Sequence, residues 1–173
     1  MLNATTTRIL ARMEEGLPFA DALREAQLAG IAEADPGNDI DGWDAAVKAC
    51  ALANALVGGD VRPRDVRRRG IRGIRPAHLA AARRAGACIR LVARGRRAGA
   101  RLAVSVQPER LPSGDLLATE GADGILVLET DLMGEIGIWE GRGGVDQTAY
   151  ALLSDLVAVA ADLRRATHAA ASR

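Results

Sequence analysis

Cysteine is nearly missing from this sequence: Cys50 and Cys88 are the only two in 173 residues. That excludes a disulfide framework, and the pair reads as buried thiols in a reducing compartment. Histidine is as scarce, and His78 has no histidine or cysteine partner at ligand spacing, so it reads as a surface residue and no metal site is expected. No apolar run reaches signal or membrane length, and Met1 leads straight into a polar segment, so a cytoplasmic protein without membrane contact is expected. Strong charge of one sign is also absent. A net charge of +1 implies no polyanionic partner by itself. The most telling shortage is lysine, because Lys48 is the only one among 23 basic residues. Lysine differs from arginine in being able to give up its proton when buried, so its survival at a single position points to chemistry there.

What is present is ordinary globular composition, 49% hydrophobic and 26% charged. The length suits one core, and residues 1–173 are read as a single domain. Helices are expected over residues 4–16, with Thr5, Thr6 or Thr7 near the cap, and from Pro18 to about Ala29, stopped by Gly30. Another is expected over residues 76–85. Short β-branched or alternating runs predict strands at Cys88–Ala93, Arg101–Val106, Gly124–Glu129 and Gly134–Trp139. Gly95 to Gly99 would turn the first pair, Thr130 to Gly134 the second, and residues 107–122 would form a longer connection. A last helix, from Asp146 to about His168, is apolar enough at Leu152, Leu153, Leu156, Val157, Val159 and Ala160 to favour a dimer or a partner chain. The expected fold is α+β, with helices packed on one face of a mixed or antiparallel sheet of four or five strands.

Arginines 62, 64, 67, 68, 69, 72 and 75 form the densest basic run. No stacking aromatics accompany them, so a solvated strand-and-turn surface is preferred over a nucleic-acid site, and a clamp for an anionic group is left open.

Residues 30–50 concentrate the chemistry. Glu33, Asp35, Asp39, Asp41 and Asp44 lie there, and Lys48 follows them. Asp35-Pro36-Gly37-Asn38 is turn composition. Helix restarts beyond it, with Asp41 expected as N-cap and Gly58 and Gly59 closing the run. Asp44 and Lys48 then stand four apart on one face. On spacing alone such a pair is a solvated contact worth about 0.3–0.5 kcal/mol. The solitary lysine sets a catalytic reading beside it.

Gly30-Ile31-Ala32-Glu33-Ala34-Asp35-Pro36, followed by Asp39, Gly42 and Asp44-Ala45-Ala46-Val47-Lys48, resembles the signature of the homoserine dehydrogenase catalytic domain. The opening Asn3-Ala4-Thr5-Thr6-Thr7 and the late Gly141-Arg142-Gly143-Gly144 with Thr148-Ala149 are similar to that family's segments at the two ends of the domain. The resemblance spans residues 2–160. It implies a homoserine dehydrogenase-like fold in which Lys48 exchanges a proton at the substrate's alcohol or aldehyde oxygen. Asp44 would position Lys48, Asp39 would orient substrate, Glu33 would hold the substrate's amino group, and Thr5 would lie between cofactor and substrate sites. It also implies a homodimer, and a dinucleotide-binding domain ahead of the catalytic one. No cofactor is therefore expected in this chain, and NAD(P) only with a partner domain. The sequence departs from the family at Ile31, Thr7 and Arg142, and Arg142 with Gly143 and Gly144 offers a place for an anion.

Three readings follow. One is a stand-alone catalytic domain acting on a small amino acid or carbonyl substrate through Lys48 and Asp44, without hydride transfer of its own. Another is a substrate subunit or fragment working with a separate nucleotide-binding chain. The last is a non-catalytic binding or assembly module.

Overall fold

The structure, a computed structural model, describes residues 3–118, 124–141 and 145–171, with side chains up to residue 165. The chain divides into two compact units, residues 1–141 and 142–173. Arg142, Gly143 and Gly144, the expected anion site, lie outside the described residues.

The first unit is α+β. Four helices come first: α1 Ala4–Glu14, α2 Phe19–Leu28, the single turn α3 Gly37–Ile40, and α4 Trp43–Ala53, which widens into a π-helical turn over Asn54–Gly58. A two-residue strand β1 (Arg67–Arg68), helix α5 (Pro76–Arg84), the long hairpin β2 (Ala87–Ala98) and β3 (Arg101–Pro112), and the hairpin β4 (Gly124–Thr130) and β5 (Gly134–Glu140) follow. One sheet runs β1-β3-β2, with β1 parallel and β2 antiparallel to β3. The other is β4-β5, antiparallel.

With so few aromatics, the core is built from aliphatic and small side chains. Ile9, Leu10 and Met13 of α1 meet Ala22 and Ala26 of α2, while Ala45, Ala46, Ala49 and Ala53 line the inner face of α4. Leu79 of α5 and Leu91, Val104 and Val106 of the sheet complete it. Alanine at four inward positions lets α4 lie close to β2 and β3 and carries its outer face to the surface. Buried Arg90 closes the underside by pairing with Glu14 at 2.8 Å.

The threonines stand near the cap of α1, as expected, and the N-cap itself is Asn3, whose side chain accepts the Thr6 N–H. Three local expectations are corrected. Asp41 does not cap α4. Gly42 occupies that position at φ 80°, a left-handed conformation that suits glycine, while the Asp41 carboxylate turns to Arg72. Residues 95–98 do not form a turn, because pairing runs on to Ala98 opposite Arg101 and leaves Gly99 (φ 59°) and Ala100 as a two-residue loop. Residues 107–112 are strand rather than connection. Among the described residues β1 pairs only with Ser105 and Val106, which leaves the outer edge of β3 unpaired where Pro108 has no N–H to give.

The second unit is helix α6, Val145–Ala171, a little longer at both ends than the periodicity predicts. Leu152, Leu153, Leu156 and Val157 are each more than 60% exposed.

Candidate functional site

Asn3 gathers the acidic groups. As an N-cap it uses Oδ1 to accept the Thr6 N–H at 2.8 Å, which leaves both amide hydrogens for other partners. Nδ2 donates to Asp39 Oδ1 at 2.6 Å and to Asp44 Oδ2 at 2.8 Å. Its backbone is fixed as well, since the Thr6 and Thr7 hydroxyls each donate to the Asn3 carbonyl at 3.1 Å. Asn3 is buried, so these bonds are sheltered from solvent.

Asp44 in turn accepts from Lys48. The i,i+4 spacing on α4 brings Lys48 Nζ to 2.9 Å from Asp44 Oδ2, the same oxygen that Asn3 engages. Asp39, Asn3, Asp44 and Lys48 are thus one hydrogen-bonded run, drawn from α3, the cap of α1 and the first two turns of α4. The lysine side chain is 50% exposed and that of Asp44 28%. At that exposure the ion pair adds only a few tenths of a kcal/mol to stability. A shallow depression of about 460 Å³ lies against Asp44, lined also by Asn38, Trp43 and Val47.

The other expected residues stand apart from this run. Thr5 does not contact the carboxylates; its hydroxyl donates to the Ile31 carbonyl at 3.0 Å, tying α1 to the loop that leads to Glu33. Gln27 Nε2 donates to the carbonyls of Glu33 at 3.0 Å and Ala34 at 3.3 Å, which sets the backbone of that loop. The Glu33 side chain is exposed and makes no hydrogen bond among the described residues. No group of three or more His, Cys, Asp or Glu that could hold a metal ion occurs among the described residues. His78 accepts the Arg75 N–H through Nδ1 at 3.2 Å, a bond at the start of α5.

Asn3 carries no charge, and sequence reasoning passed it over as a site residue. The available signal is its place two residues ahead of the Thr5-Thr6-Thr7 run, at the start of the helical pattern, where asparagine caps a helix better than threonine does. Chemically, the arrangement holds two carboxylates at one amide and offers an amine whose partner carboxylate fixes its direction. It can bind an ammonium group and exchange a proton with a nearby oxygen.

Comparison with known proteins shows the family. The homoserine dehydrogenase family profile matches residues 1–157. Homoserine dehydrogenase of Methanocaldococcus jannaschii is 40% identical over 159 residues, covering 91% of this chain and 46% of the relative. The crystal structure of S. aureus homoserine dehydrogenase at pH 7.5 superposes with a TM-score of 0.86 at 32% identity, over 92% of this chain and 40% of that one. A hyperthermophilic archaeal homoserine dehydrogenase in complex with NADPH matches with a TM-score of 0.73 at 36% identity, over 90% of this chain and 44% of that one. The chain therefore spans less than half the length of these relatives. It belongs to the homoserine dehydrogenase family and corresponds to that family's catalytic domain.

Proposed function

We propose that this chain supplies the substrate half of a homoserine dehydrogenase. It binds homoserine or aspartate semialdehyde and exchanges the proton of the distal oxygen through Lys48. The run from Asp39 through Asn3 and Asp44 to Lys48 carries the proposal. A half-exposed ion pair contributes too little stability to explain a single lysine held in a network of this kind.

In this reading the exposed Glu33 carboxylate takes the substrate ammonium, and Asp39 orients the bound amino acid. Asp44 directs Lys48. In oxidation of the alcohol, Lys48 Nζ accepts the hydroxyl proton; in reduction of the aldehyde it returns a proton to the carbonyl oxygen. Thr5 acts one step back, by fixing the Ile31 carbonyl and so the loop before Glu33.

A nicotinamide cofactor is the hydride carrier of such a reaction. The described residues include no strand followed by a glycine-rich turn and helix within a parallel sheet, so they do not fit a dinucleotide. We place it on polypeptide beyond the described residues, and no step above runs through it. Residues 1–173 are taken as one catalytic domain. Assembly belongs to the same proposal. Leu152, Leu153, Leu156 and Val157 on α6 are large exposed apolar residues, which supports a homodimer or a nucleotide-binding partner chain over that helix.

Calorimetry of the purified chain with homoserine, NAD and NADP tests the core of this reading. Homoserine is expected to bind to the wild-type chain, and Glu33→Gln is expected to lose that binding. Absence of homoserine binding, or binding indifferent to Glu33, would contradict it.

A further inference from the structure

Residues 40–43 join Asp39 to Asp44 through a left-handed Gly42, with local backbone bonds from Asp41 to Gly37 and from Gly42 to Asp39. It is gripped from residues 68–72. The Ile71 N–H donates to the Ile40 carbonyl at 2.8 Å. Gly70 comes so near that a Cβ placed there would lie 2.1 Å from the Ile40 carbonyl oxygen and 2.5 Å from Asp41 Cα. The Arg68 guanidinium donates to the Asp41 carbonyl and also lies 3.8 Å from the centre of the Trp43 ring. Arg72 meets the Asp41 carboxylate with two bonds, Nε to Oδ1 at 2.5 Å and Nη2 to Oδ2 at 3.0 Å. The gripping segment is itself tied to the sheet, through β1 pairing with β3 and the Arg69 N–H on the Val106 carbonyl at 2.8 Å.

Arg72 and Asp41 are 58% and 36% exposed, and an ion pair at such a surface contributes little to overall stability. What the set does is geometric. The Asp41 carbonyl, the Asp41 carboxylate and the Trp43 ring are three different handles on either side of Gly42, each taken by an arginine from one neighbouring segment. We propose that Arg68 and Arg72 are positioning residues of the substrate site. By fixing residues 40–43 against the β1–β3 edge, they set the separation of Asp39 and Asp44 at which one Asn3 amide bridges both. The inference rests on the functional reading above where it speaks of substrate. The densest part of the basic run thus clamps the site's own backbone.

The Asn3 side-chain amide reports this separation directly. The chain contains three asparagines and three glutamines, so its side-chain amide pairs can be assigned in a nitrogen-edited NMR spectrum. Asn54, whose amide group bonds the Val61 backbone through both ends, serves as the internal control. In the full chain, Arg68→Leu and Arg72→Gln are expected to shift or broaden the Asn3 pair while the Asn54 pair stays in place. Homoserine affinity is expected to fall on the order of tenfold. Arg68→Lys is expected to recover most of that loss, since an ammonium group still reaches the Asp41 carbonyl and the ring face.

An unchanged Asn3 pair in both variants overturns the inference, as does an Asn54 pair that moves with it, which would mean general loosening. A response at Asn3 in a chain that binds no homoserine overturns the functional reading and leaves the clamp standing. Homoserine binding with full affinity in both variants overturns the clamp and leaves the functional reading. Should Arg68→Leu fail to fold, Arg72→Gln decides alone, because it alters only an exposed side chain.

Discussion

Asn3 serves two purposes with one side chain, and only an amide can do so. Its oxygen caps α1 and its nitrogen serves two carboxylates. Aspartate would cap equally well but would set a third carboxylate against Asp39 and Asp44. Asn3→Asp is therefore expected to cost about 1–3 kcal/mol at neutral pH. Urea unfolding at pH 7 measures this; equal stability of variant and wild type would show that the amide does not bridge the acids. At this scale the sequence was legible where a residue stands out by type. The solitary lysine and its i,i+4 aspartate were read correctly as a pair, since helical spacing alone brings them together. Asn3 was not legible as a site residue, because its partners lie 36 and 41 positions away.

The same limit holds for whole elements. Helix ends marked by glycine were legible, as at Gly30 and Gly58, both at positive φ. The reach of the β2–β3 hairpin was not, because glycine and proline within it read locally as turn signals and pairing partners overrode them. Nor was the destination of Asp41, a plausible cap drawn away by Arg72. The Arg72 guanidinium bonded to Asp41 holds its carboxyl below the usual aspartate range; partial burial opposes this, and the charges of Arg72 and Arg68 add to it.

A folded-state value below the unfolded one means that the contact stabilises the protein above the ordinary aspartate range, about pH 4. That contribution is lost as pH falls through the lowered folded value. Arg72→Gln should accordingly be less stable than wild type at pH 6–7 by up to about 1 kcal/mol and converge with it in strong acid. Unfolding midpoints across that range give the answer, and a gap that widens in acid would refute it. The close approach at Gly70 is sharper still. Gly70→Ala forces a methyl group into the Ile40 carbonyl and is expected to cost about 1–3 kcal/mol, visible as a lowered thermal midpoint. A midpoint equal to wild type would mean that the two segments separate freely.

At the scale of the molecule, an α+β fold with helices against a mixed sheet was legible from the alternation of periodicities, as were the two hairpin pairings, and the parallel pairing of β1 with β3 was not. Strand partners far apart in sequence leave no local mark. The family was legible because its signature is local, gathered within residues 30–48. Among the described residues no helix is long and apolar enough to cross a membrane. The exposed apolar residues of α6 belong to the question of assembly, which sedimentation of the purified chain addresses directly.

The central claim is that substrate meets Lys48, and the scarcity of lysine makes it testable in one experiment. An amine-specific acylating reagent has one side-chain target in this protein, half exposed in the free chain. Peptide mass mapping separates that target from the amino terminus. Homoserine at saturating concentration is expected to slow acylation of Lys48 severalfold while leaving the amino terminus unaffected. A Lys48 rate unchanged by homoserine, in a chain that calorimetry shows to bind it, would place the substrate elsewhere and contradict the account.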